Sequence, residues 1–89
     1  MNAFTQLRTQ IHAPHSVAQF DLIVGLLHSY RTPRRSGIID TCAQSGYTHA
    51  ETLHMLNRME LSGLIEHVVD HESMSVNIRP RADLQEVRS

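Results

Sequence analysis

The stretch from Gly46 to Glu51 constrains this chain more than any other, because here the chain has to turn and then begin a helix. Thr48 and Glu51 have the T-x-x-E spacing of a capping box, in which each side chain accepts a hydrogen bond from the other residue's backbone N–H. Gly46 suits the left-handed residue that closes a preceding helix, and Tyr47 is expected to plug the turn. The sequence therefore predicts two tightly joined helices, over residues 36–45 and 48–62.

The second of these helices is predicted to be amphipathic. Leu53, Leu56 and Met59 recur at helical spacing and form its predicted inward stripe. A helix that starts straight after a tight turn, with its other face free, is suited to lie in a groove such as the DNA major groove. The polar side chains on that predicted outer face are His49, His54, Asn57 and Arg58.

A short helical segment is predicted within residues 1–15. Phe4, Leu7 and Ile11 occupy one face of it and form a narrow apolar stripe. Two alternatives follow for this stripe: it folds back onto the core, or it meets the same segment of a second copy. The second alternative makes residues 1–15 a candidate homodimer contact.

A further helix is predicted from a second capping-box pattern, formed by Ser16 and Gln19, to about Arg31. Gly25 lies inside this helix, where glycine costs about 1 kcal/mol relative to alanine. We therefore expect Gly25 at a position where another helix packs closely.

After Gly63 the apolar periodicity changes from helical to alternating. Residues 64–69 are rich in strand-forming residues, residues 70–73 are polar and favour a turn, and Met74, Val76 and Ile78 alternate with polar residues. This pattern predicts a β-hairpin, which Pro80 ends because proline has no N–H to donate to the ladder. Residues 81–89 are expected to form a C-terminal tail.

Size and composition indicate one small domain. The chain has 89 residues, of which 40% are hydrophobic and 19% charged, so its composition is not that of a disordered protein. No apolar run approaches the roughly 20 residues that span a bilayer, and the first ten residues lack the apolar core of a secretory signal. The single Cys42 fits a reducing compartment. We therefore expect a cytoplasmic protein with no membrane partner.

The ten residues from Asn57 to Glu66 resemble the junction of recognition helix and wing in bacterial winged helix-turn-helix regulators. In the MarR, ArsR and PadR groups this junction typically carries Arg, Leu, Glu, two variable residues, Gly, Leu and an aliphatic residue; here Met59 replaces the first Leu. The resemblance covers roughly residues 17–79. It implies a mainly α fold, with a three-helix core and a two-stranded antiparallel wing over residues 16–80. It also implies a homodimeric transcriptional regulator that binds double-stranded DNA.

Under this resemblance, several side chains become candidate DNA contacts. Arg34 and Arg35 stand before the helix at 36–45, where such folds often touch a phosphate. Thr48 offers a hydroxyl at a helix N-terminus, which favours an anion, and Asn57 is suited to adenine. The predicted DNA-binding residues are Arg34, Arg35, Thr48, His49, His54, Asn57, Arg58 and Arg79.

The charge pattern opens an alternative function. The formal net charge is −1 and the predicted wing tip carries Asp70 and Glu72, whereas a wing that touches DNA normally presents Arg or Lys to the phosphates. The alternative is a winged-helix adaptor or inhibitor that docks on a protein partner, using this acidic wing.

Catalytic and metal-binding functions have less support in the sequence. No phosphate-binding glycine loop, nucleophile elbow or paired-carboxylate motif is present, so we predict neither an enzyme nor a bound cofactor. A metal- or pH-sensing role is a weaker alternative, since motif-free histidines are usually solvated surface residues. The Cys and His residues weighed for metal binding are Cys42, His49, His54, His67 and His71.

Overall fold

The computed structural model describes residues 3–82, and this part of the chain contains four helices followed by an antiparallel hairpin. The prediction of a C-terminal tail falls largely on residues 83–89, which lie outside the described residues. The elements are α1 (Ala3–Gln10), α2 (Pro14–Tyr30), α3 (Arg35–Gln44), α4 (His49–Leu61), β1 (Ile65–Asp70) and β2 (Ser75–Pro80).

The turn between α3 and α4 has the predicted construction. The Thr48 hydroxyl accepts from the Glu51 backbone N–H at 3.0 Å, and the Glu51 carboxylate accepts from the Thr48 backbone N–H at 2.8 Å. Gly46 has a φ of 94°, in the left-handed region that favours glycine. Tyr47 is buried, and its hydroxyl donates to the His15 carbonyl at 2.9 Å. The capping box and the plugging tyrosine are therefore confirmed.

The N-terminal helix packs on the core of its own chain. Phe4, Leu7 and Ile11 are buried in one cluster with apolar side chains from all the other helices and the hairpin. A side-chain ion pair from Arg8 to Asp21, with 2.9 Å between Nε and Oδ1, also links α1 to α2. Of the two alternatives for the apolar stripe, the structure shows the first. The stripe therefore gives no argument for a dimer.

Helix α2 differs from its prediction at its start and in its middle. It begins at Pro14, which suits a first helical position because that N–H has no intrahelical partner. Ser16 is therefore already inside the helix, and Gln19 is buried and donates to the Thr52 hydroxyl of α4 at 3.0 Å instead of capping α2. A Cβ added at Gly25 would meet no heavy atom within 4 Å. Within residues 3–82 no other helix packs closely on Gly25, so that prediction is wrong.

Helix α4 presents a different inner face from the one predicted. Thr52 and Met55 join Leu56 and Met59 as its buried residues. Leu53 is 38% exposed, so its assignment to the inward stripe is wrong. The Gln19–Thr52 hydrogen bond lies at the contact of α2 and α4 and satisfies two buried polar groups together.

The hairpin pairs β1 with β2 from Ile65 opposite Pro80 to Asp70 opposite Ser75. Ile78 points into the core, and its N–H donates to the Pro33 carbonyl at 2.8 Å, which ties β2 to the loop before α3. Met74 was expected to continue the inward alternation of this strand. Instead it lies in the turn with a φ of 58° and is 74% exposed.

Candidate functional site

The outer face of α4 is open to solvent in the described part of the chain. His49, Ala50, Leu53, His54 and Asn57 are all exposed. The opposite face of the helix is held by the core and by the Gln19–Thr52 pair, so the exposed face has a defined direction. Because α4 is capped by Thr48, its N-terminal turn is also well formed.

Arg58 lies on the flank of α4 that faces the end of α1. Its guanidinium donates from Nη2 to the Gln10 carbonyl at 3.3 Å, and the side chain is half-buried. Asn57 precedes it by about 100° of helical rotation and is exposed. The structure therefore separates Arg58 from the centre of the outer face, where the sequence had grouped it with Asn57.

The two arginines before and at the start of α3 lie near the hairpin. Arg34 is the N-cap residue of α3 and is exposed, and its backbone forms an isolated bridge with Asn77 of β2. Arg35 is half-buried and lines the space between α4 and the hairpin. Arg35 is therefore brought close to the outer face of α4, whereas the recorded contact of Arg34 is with the hairpin.

Arg79 is not a free cation. It forms an ion pair with Glu66, its direct cross-strand partner in the hairpin. The same carboxylate also lies 3.9 Å from Nε of Arg81. Sequence reasoning missed this pairing, and the charge it assigned to DNA is balanced within the hairpin.

A cleft separates α4 from the hairpin, and we call it the α4–hairpin cleft. It consists of two adjoining cavities of about 410 and 460 Å³, both lined by Arg35, Leu53 and Val76. Val69 lines one of the cavities and Met74 the other, and these two side chains are 47% and 74% exposed. The cleft thus exposes apolar surface beside α4, a feature that the sequence reasoning did not foresee.

A hydrogen bond between Glu60 of α4 and His67 of β1 lies beside this cleft. His67 Nδ1 lies 2.6 Å from Glu60 Oε2, and both residues line the larger cavity. A second pair of the same type, His15 with Glu51 at 3.3 Å, stands at the other end of α4. The His15 ring also lies 4.3 Å from the ring of Tyr47, measured between centroids. His15 and His67 therefore each contact a glutamate near one end of α4.

The hairpin turn is acidic. Asp70 accepts hydrogen bonds from the Glu72 backbone N–H and from the Ser73 hydroxyl, each at 3.0 Å. These bonds, the backbone N–H of Glu72 first, lower the pKa of Asp70 below its ordinary value, and the nearby charge of Arg34 adds a smaller effect. The exposed Glu72 adds a second negative charge. This turn therefore presents negative charge to any approaching partner at neutral pH.

The alternative sites are tested only within residues 3–82. In this range no group of three or more His, Cys, Asp and Glu side chains is arranged to hold a metal ion. Cys42 is buried in the core. None of the described helices is long and apolar enough to cross a membrane.

Comparison with protein-family models, with curated proteins and with solved structures finds no match to this chain in any of the three. The function has to be argued from the geometry of α4 and its surroundings.

Proposed function

We propose that this chain is a winged helix-turn-helix regulator that binds double-stranded DNA with α4 as its recognition helix. The observation that carries the proposal is the uncovered outer face of α4, which starts at a capped N-terminus and carries His49, His54 and Asn57. The order of α2, α3, turn, α4 and hairpin is also the order that the resemblance implies. On this proposal the chain is a binding protein and not an enzyme.

The expected division of labour follows from the chemistry of each group. Arg34, Arg35 and the N-terminal turn at Thr48 would contact phosphates, since a helix N-terminus favours an anion and arginine matches phosphate geometry. Asn57 would contact a base edge, because its amide can both donate to and accept from adenine. Phosphate contacts would position the domain, and the outer face of α4 would select the sequence.

The hairpin is not expected to contribute phosphate contacts. Its turn is acidic, and Arg79 at its base is engaged by Glu66. Of the arginines among the predicted DNA contacts, three then remain for neutralising phosphates: Arg34, Arg35 and Arg58. At about 0.9 counterions per contact, three contacts give a slope of log affinity against log salt of about −2.7. Such modest affinity would favour binding as a homodimer on two half-sites.

A salt-dependent binding assay tests this proposal. Fluorescence anisotropy with a labelled random duplex is expected to show binding that falls about 40-fold between 50 and 200 mM salt, as that slope requires. Asn57→Ala should leave this non-specific binding and the melting temperature unchanged while it weakens binding to a selected site. A chain that binds no duplex at 50 mM salt would contradict the proposal.

A second candidate function is supported by the α4–hairpin cleft. Its exposed Leu53, Val69 and Met74 form a contiguous apolar surface beside acidic residues, an arrangement common at protein interfaces. On this alternative the chain is an adaptor or inhibitor of another protein. Charge reversal at Asp70 and Glu72 separates the two functions, because it should strengthen or preserve DNA binding but should weaken a protein complex that uses the acidic turn.

A further inference from the structure

We propose that α4 recognises a step of A·T base pairs, with Leu53 packed on the 5-methyl group of a thymine and Asn57 bonded to a nearby adenine. This inference rests on the proposed DNA-binding function and specifies its target. It begins from the position of Leu53, an aliphatic side chain that the structure places outside the core at 38% exposure.

Leu53 and Asn57 are neighbours on the same part of the helix surface. They are four residues apart in α4, a spacing that stacks side chains one above the other. Both line the larger cavity of the α4–hairpin cleft. Four residues rise about 6 Å along a helix, while base pairs are spaced about 3.4 Å apart. The two side chains can therefore reach base pairs one or two steps apart.

The chemistry of this pair selects A·T base pairs. In the major groove, adenine presents an acceptor and a donor that match the Asn amide, and thymine presents a methyl group that an apolar side chain contacts. Ala50, three residues before Leu53 and also exposed, extends the same apolar strip. A G·C pair offers neither the acceptor–donor pair that the Asn amide matches in adenine nor a methyl group for the apolar strip.

Two arginines that could read guanine, Arg58 and Arg79, have partners away from the outer face of α4. Arg58 is the only arginine in α4, and its guanidinium bonds to the Gln10 carbonyl on the flank of the helix. Arg79 is held by Glu66 in the hairpin. Bidentate Arg contacts are the commonest way of specifying guanine. The engagement of Arg58 and Arg79 away from the outer face of α4 favours A·T recognition further.

The first part of the experiment selects bound sequences from a random duplex library with the full chain. Each thymine of the selected site is then replaced by deoxyuridine, which removes the 5-methyl group and leaves the base pairing intact. We expect A·T pairs at the centre of each half-site and one position where deoxyuridine weakens binding about four-fold, the effect of one buried methyl-sized group.

The second part assigns the contact to a side chain. In Leu53→Ala, duplexes with thymine and deoxyuridine at that position should bind equally. Leu61→Ala is the matched control, because it makes the same chemical change at an 80% exposed residue two turns further along α4, and it should keep the four-fold preference. Since Leu53 is partly exposed, its truncation should leave the fold intact, and circular dichroism checks this.

The outcomes separate the inference from the function on which it rests. Binding without A·T selection, or with no effect of deoxyuridine at any position, would overturn the inference and leave the DNA-binding proposal standing. A preference lost in Leu61→Ala and kept in Leu53→Ala would also overturn it. Failure to bind any duplex at low salt would overturn both. Because deoxyuridine scanning uses the unmodified chain, the result does not depend on how Leu53→Ala folds.

Discussion

Glu66→Gln is the substitution for which the structure gives the sharpest prediction. The Glu66 carboxylate pairs with Arg79 across the hairpin and lies 3.9 Å from Arg81. Glutamine keeps the size and shape of the side chain and removes its charge. Arg79 would then be released toward the solvent at the base of the hairpin, where it can reach a phosphate of bound DNA.

The magnitude follows from counterion release. One additional phosphate contact makes the slope of log affinity against log salt steeper by about 0.9, from about −2.7 to about −3.6. If the variant and the original chain bind random duplex equally at 1 M salt, this difference in slope makes the variant bind about eight-fold more tightly at 0.1 M salt. The loss of an exposed ion pair should cost the fold no more than about 1 kcal/mol.

The assay is anisotropy of a labelled random duplex at several salt concentrations, with two controls. Glu72→Gln makes the same charge change at the hairpin turn. Among residues 3–82 Glu72 forms no ion pair, so this variant reports the effect of net charge alone. The double variant Glu66→Gln with Arg79→Ala should lose the extra slope. A slope in Glu66→Gln equal to that of Glu72→Gln would refute the reasoning, since the released arginine would then lie outside the DNA contact.

Three further predictions concern the scaffold of the site. Phe4→Ala should destabilise the fold by about 3–5 kcal/mol, because Phe4 is fully buried against α2, and a loss below about 1 kcal/mol in chemical denaturation would contradict this packing of α1. Tyr47→Phe removes the hydrogen bond to the His15 carbonyl and should cost about 0.5–1.5 kcal/mol in the same assay. Thr48→Ala should cost about 1 kcal/mol at neutral pH. The Glu51 carboxylate accepts from the Thr48 backbone N–H, which lowers the pKa of Glu51 from its ordinary value of 4.5. The stability that this second bond of the capping box contributes should be present above pH 4.5 and lost as pH falls through the lowered pKa. Denaturation curves of the unsubstituted chain at neutral and acid pH should show this loss, and a stability unchanged in acid would speak against it.

The turn between α3 and α4 could be predicted because its contacts are local. The capping box joins residues three apart, and the glycine that closes α3 has a conformational requirement of its own. Such interactions are available to the chain before any distant segment packs against it. The start of α4 was accordingly placed correctly by Thr48 and Glu51.

The register of the hairpin could not be predicted from the sequence in the same way. A turn at residues 70–73 would place Glu66 opposite Asn77, whereas the observed turn at residues 71–74 places it opposite Arg79. A shift of one residue in the turn thus changes the partner by two. Because this shift keeps the same side chains on the same face, apolar alternation does not distinguish the two registers. The ion pair between Glu66 and Arg79 forms only in the observed register, and it is the reason why Arg79 is no longer a predicted DNA contact.

The sequence by itself determined the order of helices and hairpin, the capped start of α4 and the acidic character of the turn. The tertiary structure alone decided which face of α4 is free. Thr52 turns inward because Gln19, 33 residues away, supplies its buried hydrogen-bond partner, and Leu53 is left outside. Hydrophobicity ranks Leu53 above Thr52 for burial, but a polar group is buried readily once a distant partner satisfies it. That partner becomes known only when α2 and α4 are packed together.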